Sequence, residues 1–380
     1  METRRTRLKS WPVLGIFLIQ VILLLAYWFL YHTWIAFFDP ASAATVVALH
    51  VALLVLAFSF TVTTLLSFRF SNPLLSLFYW CAAVWLGFLN YFFWAACFTW
   101  LVWYASLALH LFANPAAARP LIAGSLAAIA FLTGIYSLLN ARWIRVRRIP
   151  IALPGLPASW RGRRAVLLSD LHLGSINGAA FSRRMVALAS SLEPHIVFIP
   201  GDLFDGTKAD LDKLAAPFKN LAPPFGVYFS TGNHEEFSDP AHFLQAATRA
   251  GMIVLHNEKT IVDNLVIVGV PYGDSTSPIR LRATLEALSL ATDQASILLN
   301  HMPSRLPIVE GAGVSLQLSG HTHGGQFFPF TWPTRRIFGR FTHGLHQFGA
   351  LQVYTSTGAG TWGPPMRLGT HPEIVLLTFA

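Results

Sequence analysis

Between positions 11 and 141 the chain carries only Asp39, Arg69 and Arg119 as charged side chains. A segment so poor in charge has nothing to present to water over most of its length. Four apolar runs within it, at about 11–30, 44–68, 74–112 and 121–139, reach or approach the roughly 20 residues needed to cross a bilayer. Inside hydrocarbon every backbone N–H and C=O must be satisfied within the segment, so these runs are expected as helices. Asp39-Pro40, positions 69–73 and positions 114–120 form the links. The third run would make roughly 58 Å of helix. It is either one long protruding helix or two spans joined near Asn90.

Charged residues make up 12% of the whole chain, against about 25% for a soluble domain. The deficit is confined to the first part, which divides the chain into a transmembrane region at 1–148 and a second domain at 149–380. The formal net charge of +9 fits positive-inside topology. Arg4, Arg5, Arg7 and Lys9 precede the first apolar run, and Arg142, Arg145, Arg147 and Arg148 follow the last. Four spans put both clusters on one side, expected to be cytoplasmic, in a multi-pass protein of the cell (inner) membrane. Five spans would separate them. The string from Thr3 to Lys9 resembles a twin-arginine export signal without its usual aromatic, and Ala41-Ser42-Ala43 resembles a cleavage site. Three further apolar runs favour an ordinary basic anchor. No nucleic-acid partner is expected. The one basic cluster of the second domain, Arg335, Arg336 and Arg340, fits an anionic lipid or a phosphate at least as well. Both cysteines, Cys81 and Cys97, lie in the apolar region, which leaves the second domain without a cysteine-based metal site.

That domain alternates short strand-like runs with helical stretches, the pattern of an α/β layered fold. Five of the runs end in polar strings: S-D-L-H at 169–172, G-D-L-F-D at 201–205, G-N-H-E at 232–235, N-H at 300–301 and G-H-T-H at 320–323. Open sheets gather their sites at the carboxyl ends of strands. Gly201, Gly232 and Gly320 are expected to turn the backbone sharply there. Asp, Asn and His suit hard-to-borderline divalent cations, and there are enough of them for two metals sharing a carboxylate. A two-metal site points to phosphate-ester hydrolysis. Taken singly, each string also reads as turn residues and helix caps.

In this order the strings resemble the calcineurin-like metallophosphoesterase family. The G-H-T-H-G-G-Q form at 320–326, with P-M-R-L at 365–368 and P-E-I at 372–374, resembles its membrane-anchored branch. The resemblance covers about 150–380 and implies an αββα sandwich behind a four-helix transmembrane region. It implies that Asp170, His172 and His323 hold one metal, that Asn233, His301 and His321 hold a second, and that Asp202 bridges them. His234 would meet the phosphate and protonate the leaving oxygen, oriented by Asp205 or Glu235. Arg367 is a weaker candidate for substrate binding. The metals implied are two divalent ions, Mn, Fe or Zn. The expected substrate is a phosphodiester or pyrophosphate, lipid-linked in keeping with the membrane anchor. The aromatic string at 327–333 either inserts at a membrane interface or packs over the sheet. The rival reading is a catalytically silent sensor or scaffold that binds metal or a phosphorylated ligand.

Overall fold

The structure, a computed structural model, describes residues 11–39, 42–237 and 239–380, with side chains from position 14. The basic N-terminal cluster, the twin-arginine-like string, Pro40 and Ala41 lie outside the described residues. The chain divides into two compact units, 1–67 with 73–136, and 68–72 with 137–380.

The first unit is built from α1 (Trp11–Phe38), α2 (Ala43–Ser67), α3 (Pro73–Ala108) and most of α4 (Pro115–Arg142). All four helices are long and apolar enough to cross a membrane. The third run is one unbroken 36-residue helix with Asn90 in its interior, about 54 Å long, so the four-span reading holds over the two-span alternative. Several polar side chains in this unit bond across to a neighbouring helix. Gln20 donates to the Ala57 carbonyl at 3.1 Å and accepts from the Thr61 hydroxyl at 2.7 Å. Trp100 Nε1 donates to the Thr33 hydroxyl at 3.0 Å. Arg119 donates to the Ala36 carbonyl and lies over the Phe37 and Trp103 rings. At Gly134 an added Cβ would meet the Phe88 ring at 2.1 Å, so α3 and α4 approach closely there.

The second unit is a sandwich of two mixed six-stranded sheets. In chain order its strands are β1 (Arg145–Ile151), β2 (Arg164–Leu167), β3 (Ile196–Ile199), β4 (Val227–Phe229), β5 (Ile253–Val254), β6 (Glu258–Val262), β7 (Leu265–Val270), β8 (Ser296–Asn300), β9 (Leu316–Ser319), β10 (Gly344–Phe348), β11 (Leu351–Thr355) and β12 (Glu373–Phe379). Its helices are α5 (Ala179–Ser190), α6 (Leu211–Ala215), α7 (Ala241–Arg249), α8 (Tyr272–Thr276), α9 (Pro278–Leu288), α10 (Leu306–Gly311) and α11 (Thr331–Phe338). One sheet runs β1-β12-β2-β3-β4-β5 and the other β10-β11-β9-β8-β7-β6. Expected as part of a basic flank, Arg145, Arg147 and Arg148 lie in β1, and position 148/149 falls inside that strand. As an edge strand, β1 tolerates Pro150, whose missing N–H costs no ladder bond.

The layering follows from the two-residue period of strands. Ala165 and Leu167, Ile196 and Phe198, Ile267, Ile297 and Leu299, and Leu316 and Leu318 point between the sheets, with Trp160 filling one end. The alternate residues Val166, Val197, Ile199, Ile374 and Leu376 meet α5, α6 and α7 on one outer face. Val266, Val268, Leu298 and Val353 meet α9 and α10 on the other. Every central strand is therefore apolar on both faces, as buried parallel strands are. The result is the expected αββα order.

Candidate metal centre

Three parallel strands of the first sheet and two of the second end at the same place. From the first sheet, β2 delivers Asp170 and His172, β3 delivers Asp202 and Asp205, and β4 delivers Asn233 and His234. From the second, β8 delivers His301 and β9 delivers His321 and His323. Hydrogen bonds join the loops. The Asp170 N–H donates to the Gly201 carbonyl at 3.2 Å, and the His172 N–H to the Asp202 carbonyl at 3.0 Å.

Strain collects at this point. Asp170, His172, Asp202, His321 and His323 all have positive φ, between 48° and 68°. Non-glycine residues in the left-handed region are uncommon and cost of order 1–3 kcal/mol each, and they gather where function needs an unusual direction. Gly201, at φ 141°, takes the positive-φ backbone expected of it, but the other two glycines play a different part. Gly232 and Gly320 do not have positive φ. A Cβ at Gly232 would meet Asp202 Oδ1 at 2.2 Å, and one at Gly320 would meet Asp170 Oδ2 at 2.1 Å. They are there because a carboxylate lies against the backbone.

All the expected metal-binding residues converge. Asp170, His172 and His323 offer ligand atoms close enough to share an ion, as do Asp170, Asp202 and His301. His172 Nε2 and His323 Nε2 face each other at 3.0 Å. Asp202 Oδ2 lies 3.1 Å from His301 Nε2 and 3.8 Å from His172 Nε2, between the two groups. Asn233 Oδ1 lies 2.9 Å from His321 Nδ1.

Burial sets the charge states. It pushes the His172 and His323 imidazoles well below their ordinary range, aided by neighbouring His234 and Arg367 respectively. It lowers His321 to about 4. Asp202 stays well below the carboxylate range despite burial, because the His301 and His234 imidazoles lie beside it. His301, despite its burial, is instead raised to about 9 by the Asp202 carboxylate it pairs with and by Asp170. The neutral imidazoles of His172, His321 and His323 beside the ionised Asp202 suit a borderline divalent cation. Nδ1 of His301 and Nδ1 of His172 have no hydrogen-bond partner although each is buried. Such groups are costly unless something satisfies them. The residues therefore fit bound metal.

His234 is held differently from expectation. Its Nδ1 lies 2.9 Å from the backbone carbonyl of Asp205, while the Asp205 carboxylate is 3.9 Å away. Donation from Nδ1 to that carbonyl leaves Nε2 available. The Glu235 side chain serves the backbone instead. It accepts from the N–H groups of Asp202 at 3.1 Å, Phe204 at 2.8 Å and Gly232 at 2.8 Å. Burial, with the Asp202 charge adding to it, raises Glu235 to about 8.

Arg367 is corrected as a substrate contact. It is fully buried. Nη1 donates to the His323 carbonyl at 2.9 Å, and Nη2 to the carbonyls of Gly360 at 2.6 Å and Gly358 at 3.2 Å. A guanidinium occupied with three carbonyls in the interior braces the loops rather than reaching for a ligand. Those glycines belong to a segment that sequence reasoning passed over, 356–360, which follows β11. The Ala359 and Gly360 N–H groups donate to the carbonyls of Ser169 and Asp170 at 3.0 and 2.8 Å. An apolar run ending in S-T-G-A-G was the available signal. Around the rim, Phe237 and Trp362 have ring centroids 4.5 and 6.2 Å from that of His234. Tyr272 lies 5.7 Å from His321. Aromatic residues carry no sequence pattern that would have marked them out.

Residues 163–325 match the profile of the calcineurin-like phosphoesterase family. The chain is 32% identical over 265 residues to a "Transmembrane protein with metallophosphoesterase domain" of Danio rerio, covering 65% of this chain and 60% of that protein. It therefore spans about three fifths of that relative's length. It is 33% identical over 258 residues to an uncharacterized metallophosphoesterase of Aquifex aeolicus, covering 66% of this chain and 97% of that one. A crystal structure described as a dimetal phosphatase from Danio rerio overlays with a TM-score of 0.40 at 14% identity, covering 58% of this chain and all of the other, a likeness too slight to bear on function. With nearly the whole of the Aquifex protein matched at this identity, the chain belongs to the calcineurin-like metallophosphoesterase family.

Proposed function

We propose that the protein is a membrane-bound phosphoesterase that hydrolyses a phosphodiester or pyrophosphate with two divalent metal ions. The observation that supports this best is Asp202, whose Oδ2 lies between His301 Nε2 at 3.1 Å and His172 Nε2 at 3.8 Å. In this reading Asp170, His172 and His323 hold one ion, Asn233, His301 and His321 hold the other, and Asp202 is shared. Family membership and the unsatisfied imidazole nitrogens support the ligand set. Mn, Fe and Zn all suit mixed nitrogen and oxygen donors. When bound, the ions supply charge stabilisation on the phosphoryl oxygens and acidify a water.

The chain's own residues do the rest. His234, fixed through Nδ1 by the Asp205 carbonyl, carries a proton on Nε2 to the leaving oxygen. General acid catalysis of this kind contributes about 10²–10⁴-fold. Glu235 and Arg367 hold the loops so that the ligands keep their strained backbone. The rim of Phe237, Trp362 and Tyr272 accommodates an apolar group on the phosphate. Together with the spanning helices, it favours a lipid-linked substrate. In this reading the domain lies on the cytoplasmic side of the inner membrane, a topology that the two basic clusters and an even number of spans favour.

The test is hydrolysis of bis-p-nitrophenyl phosphate by the full chain in detergent, stripped with EDTA and resupplied with Mn or Zn, beside Asp202→Asn. Turnover that returns with metal and is absent from the variant is the expected result. Metal bound at full stoichiometry without turnover on this or a pyrophosphate substrate would instead support the silent sensor.

A further inference from the structure

The string at 327–333 leads into α11, and α11 does not bury a single residue. Thr331, Thr334 and Phe338, at helical spacing, are its half-buried inner face. Its outer face presents Trp332 at 75% exposure and Ile337 at 73%, with Phe330 at 50% in the turn before it. Phe328, also exposed, has its ring 6.3 Å from that of Trp332, so the apolar surface is continuous. Arg335 and Arg336 stand on the same outer face, one turn from Trp332, and Arg340 follows. Positions 311–372 contain no Asp or Glu, so nothing local in the sequence offsets these cations. An eight-residue helix is far below the length that holds itself in water, about 12–15 residues, and this one leaves Trp332 and Ile337 largely uncovered.

We infer that the outer face of α11 docks into the headgroup layer of an anionic bilayer. Trp and Phe favour that layer, aliphatic side chains gain by dipping below it, and arginines are attracted to its negative surface. The chain carries its own membrane-spanning helices, so such a surface is always near. A protein partner would need acidic residues matched to the arginines and would not require the aromatic content. The consequence, which rests on the proposed function, concerns the substrate. The Phe338 ring lies 6.1 Å from His321, and a Cβ at Gly325, two residues after His323, would meet Thr331 Cα at 2.4 Å. Docking of α11 would bring the mouth of the metal centre to headgroup level, where a phosphoester of a membrane lipid is within reach.

The experiment reads position rather than turnover, so an inactive protein would leave it intact. The full chain with Cys81→Ala and Cys97→Ala is labelled with an environment-sensitive fluorophore at Trp332→Cys, at Ile337→Cys, or at Ile279→Cys as a control on the exposed side of α9. It is reconstituted in nanodiscs of phosphatidylcholine with or without phosphatidylserine. The expected result is a blue shift at 332 and 337, loss of emission on adding doxyl-labelled lipid, and no change at 279. The effect should weaken without phosphatidylserine and in Arg335→Glu/Arg336→Glu. Water-like, unquenched emission at 332 and 337 in both disc types would overturn the inference. So would a blue shift that doxyl lipid does not quench, or equal quenching at 279.

Discussion

The two units of this chain solve one problem in opposite solvents. In the helical unit the apolar side chains face outward, Leu121 and Leu132 among the most exposed, and the polar groups turn inward to find each other, as Gln20 finds Thr61. In the sandwich the apolar side chains fill three layers, and the polar groups that are buried collect at one end of the strands. The cost of desolvation explains both. The difference teaches where to look for function. The polar pairs between helices, Gln20 with Thr61 and Trp100 with Thr33, are neutral, and they contribute packing. In the sandwich, Asp170, Asp202, His172 and His301 are buried with charge or unsatisfied nitrogen among them, an arrangement that stability alone would not retain.

That contrast can be broken in descending steps. Asp202→Asn should have the largest effect: hydrolysis of bis-p-nitrophenyl phosphate falling to background, at least about 10³-fold, with metal content reduced by elemental analysis. His234→Ala should lose about 10²–10³ in kcat while metal content stays at the wild-type level; loss of metal there would make His234 a ligand and undo its assigned role. Glu235→Ala leaves the buried N–H groups of Asp202, Phe204 and Gly232 without their acceptor. It should cost about 3 kcal/mol of stability, read as a lowered Tm of the detergent-solubilised protein. Arg367→Met should weaken metal binding about 10–100-fold in chelator competition, because the guanidinium braces the His323 backbone, while the KM of the metal-saturated protein stays unchanged. A raised KM with normal metal affinity would return Arg367 to the substrate. The smallest effect belongs to the helices. Gln20→Leu, which removes a polar pair facing another helix, should cost about 0.6 kcal/mol. An effect as large as that of Glu235→Ala would erase the distinction between the two units.

Much of this was legible along the chain. Segments nearly free of charge can only be satisfied as helices in a membrane, and ligand types recurring at strand ends announce a metal site before any contact is known. Each string carries its chemistry in adjacent residues, but only the resemblance to the family singles out Asp170, His172, Asp202, Asn233, His301, His321 and His323 among them as the expected ligands. What local pattern could not express depends on partners far away in sequence. The length of α3 was readable, but its continuity through Asn90 was not, since a single Asn permits either a turn or a helix. His234 is set by a carbonyl twenty-nine positions earlier, and a carbonyl has no side-chain signature. Arg367 carries the same charge on a surface or in a core, and only the carbonyls of His323, Gly358 and Gly360 around it decide that it is a brace. The sequence by itself therefore determined which chemistry and which solvent each region would meet, because those follow from side-chain type. The tertiary structure alone decided which buried group serves the ligands and which serves the backbone, because that is a matter of distance.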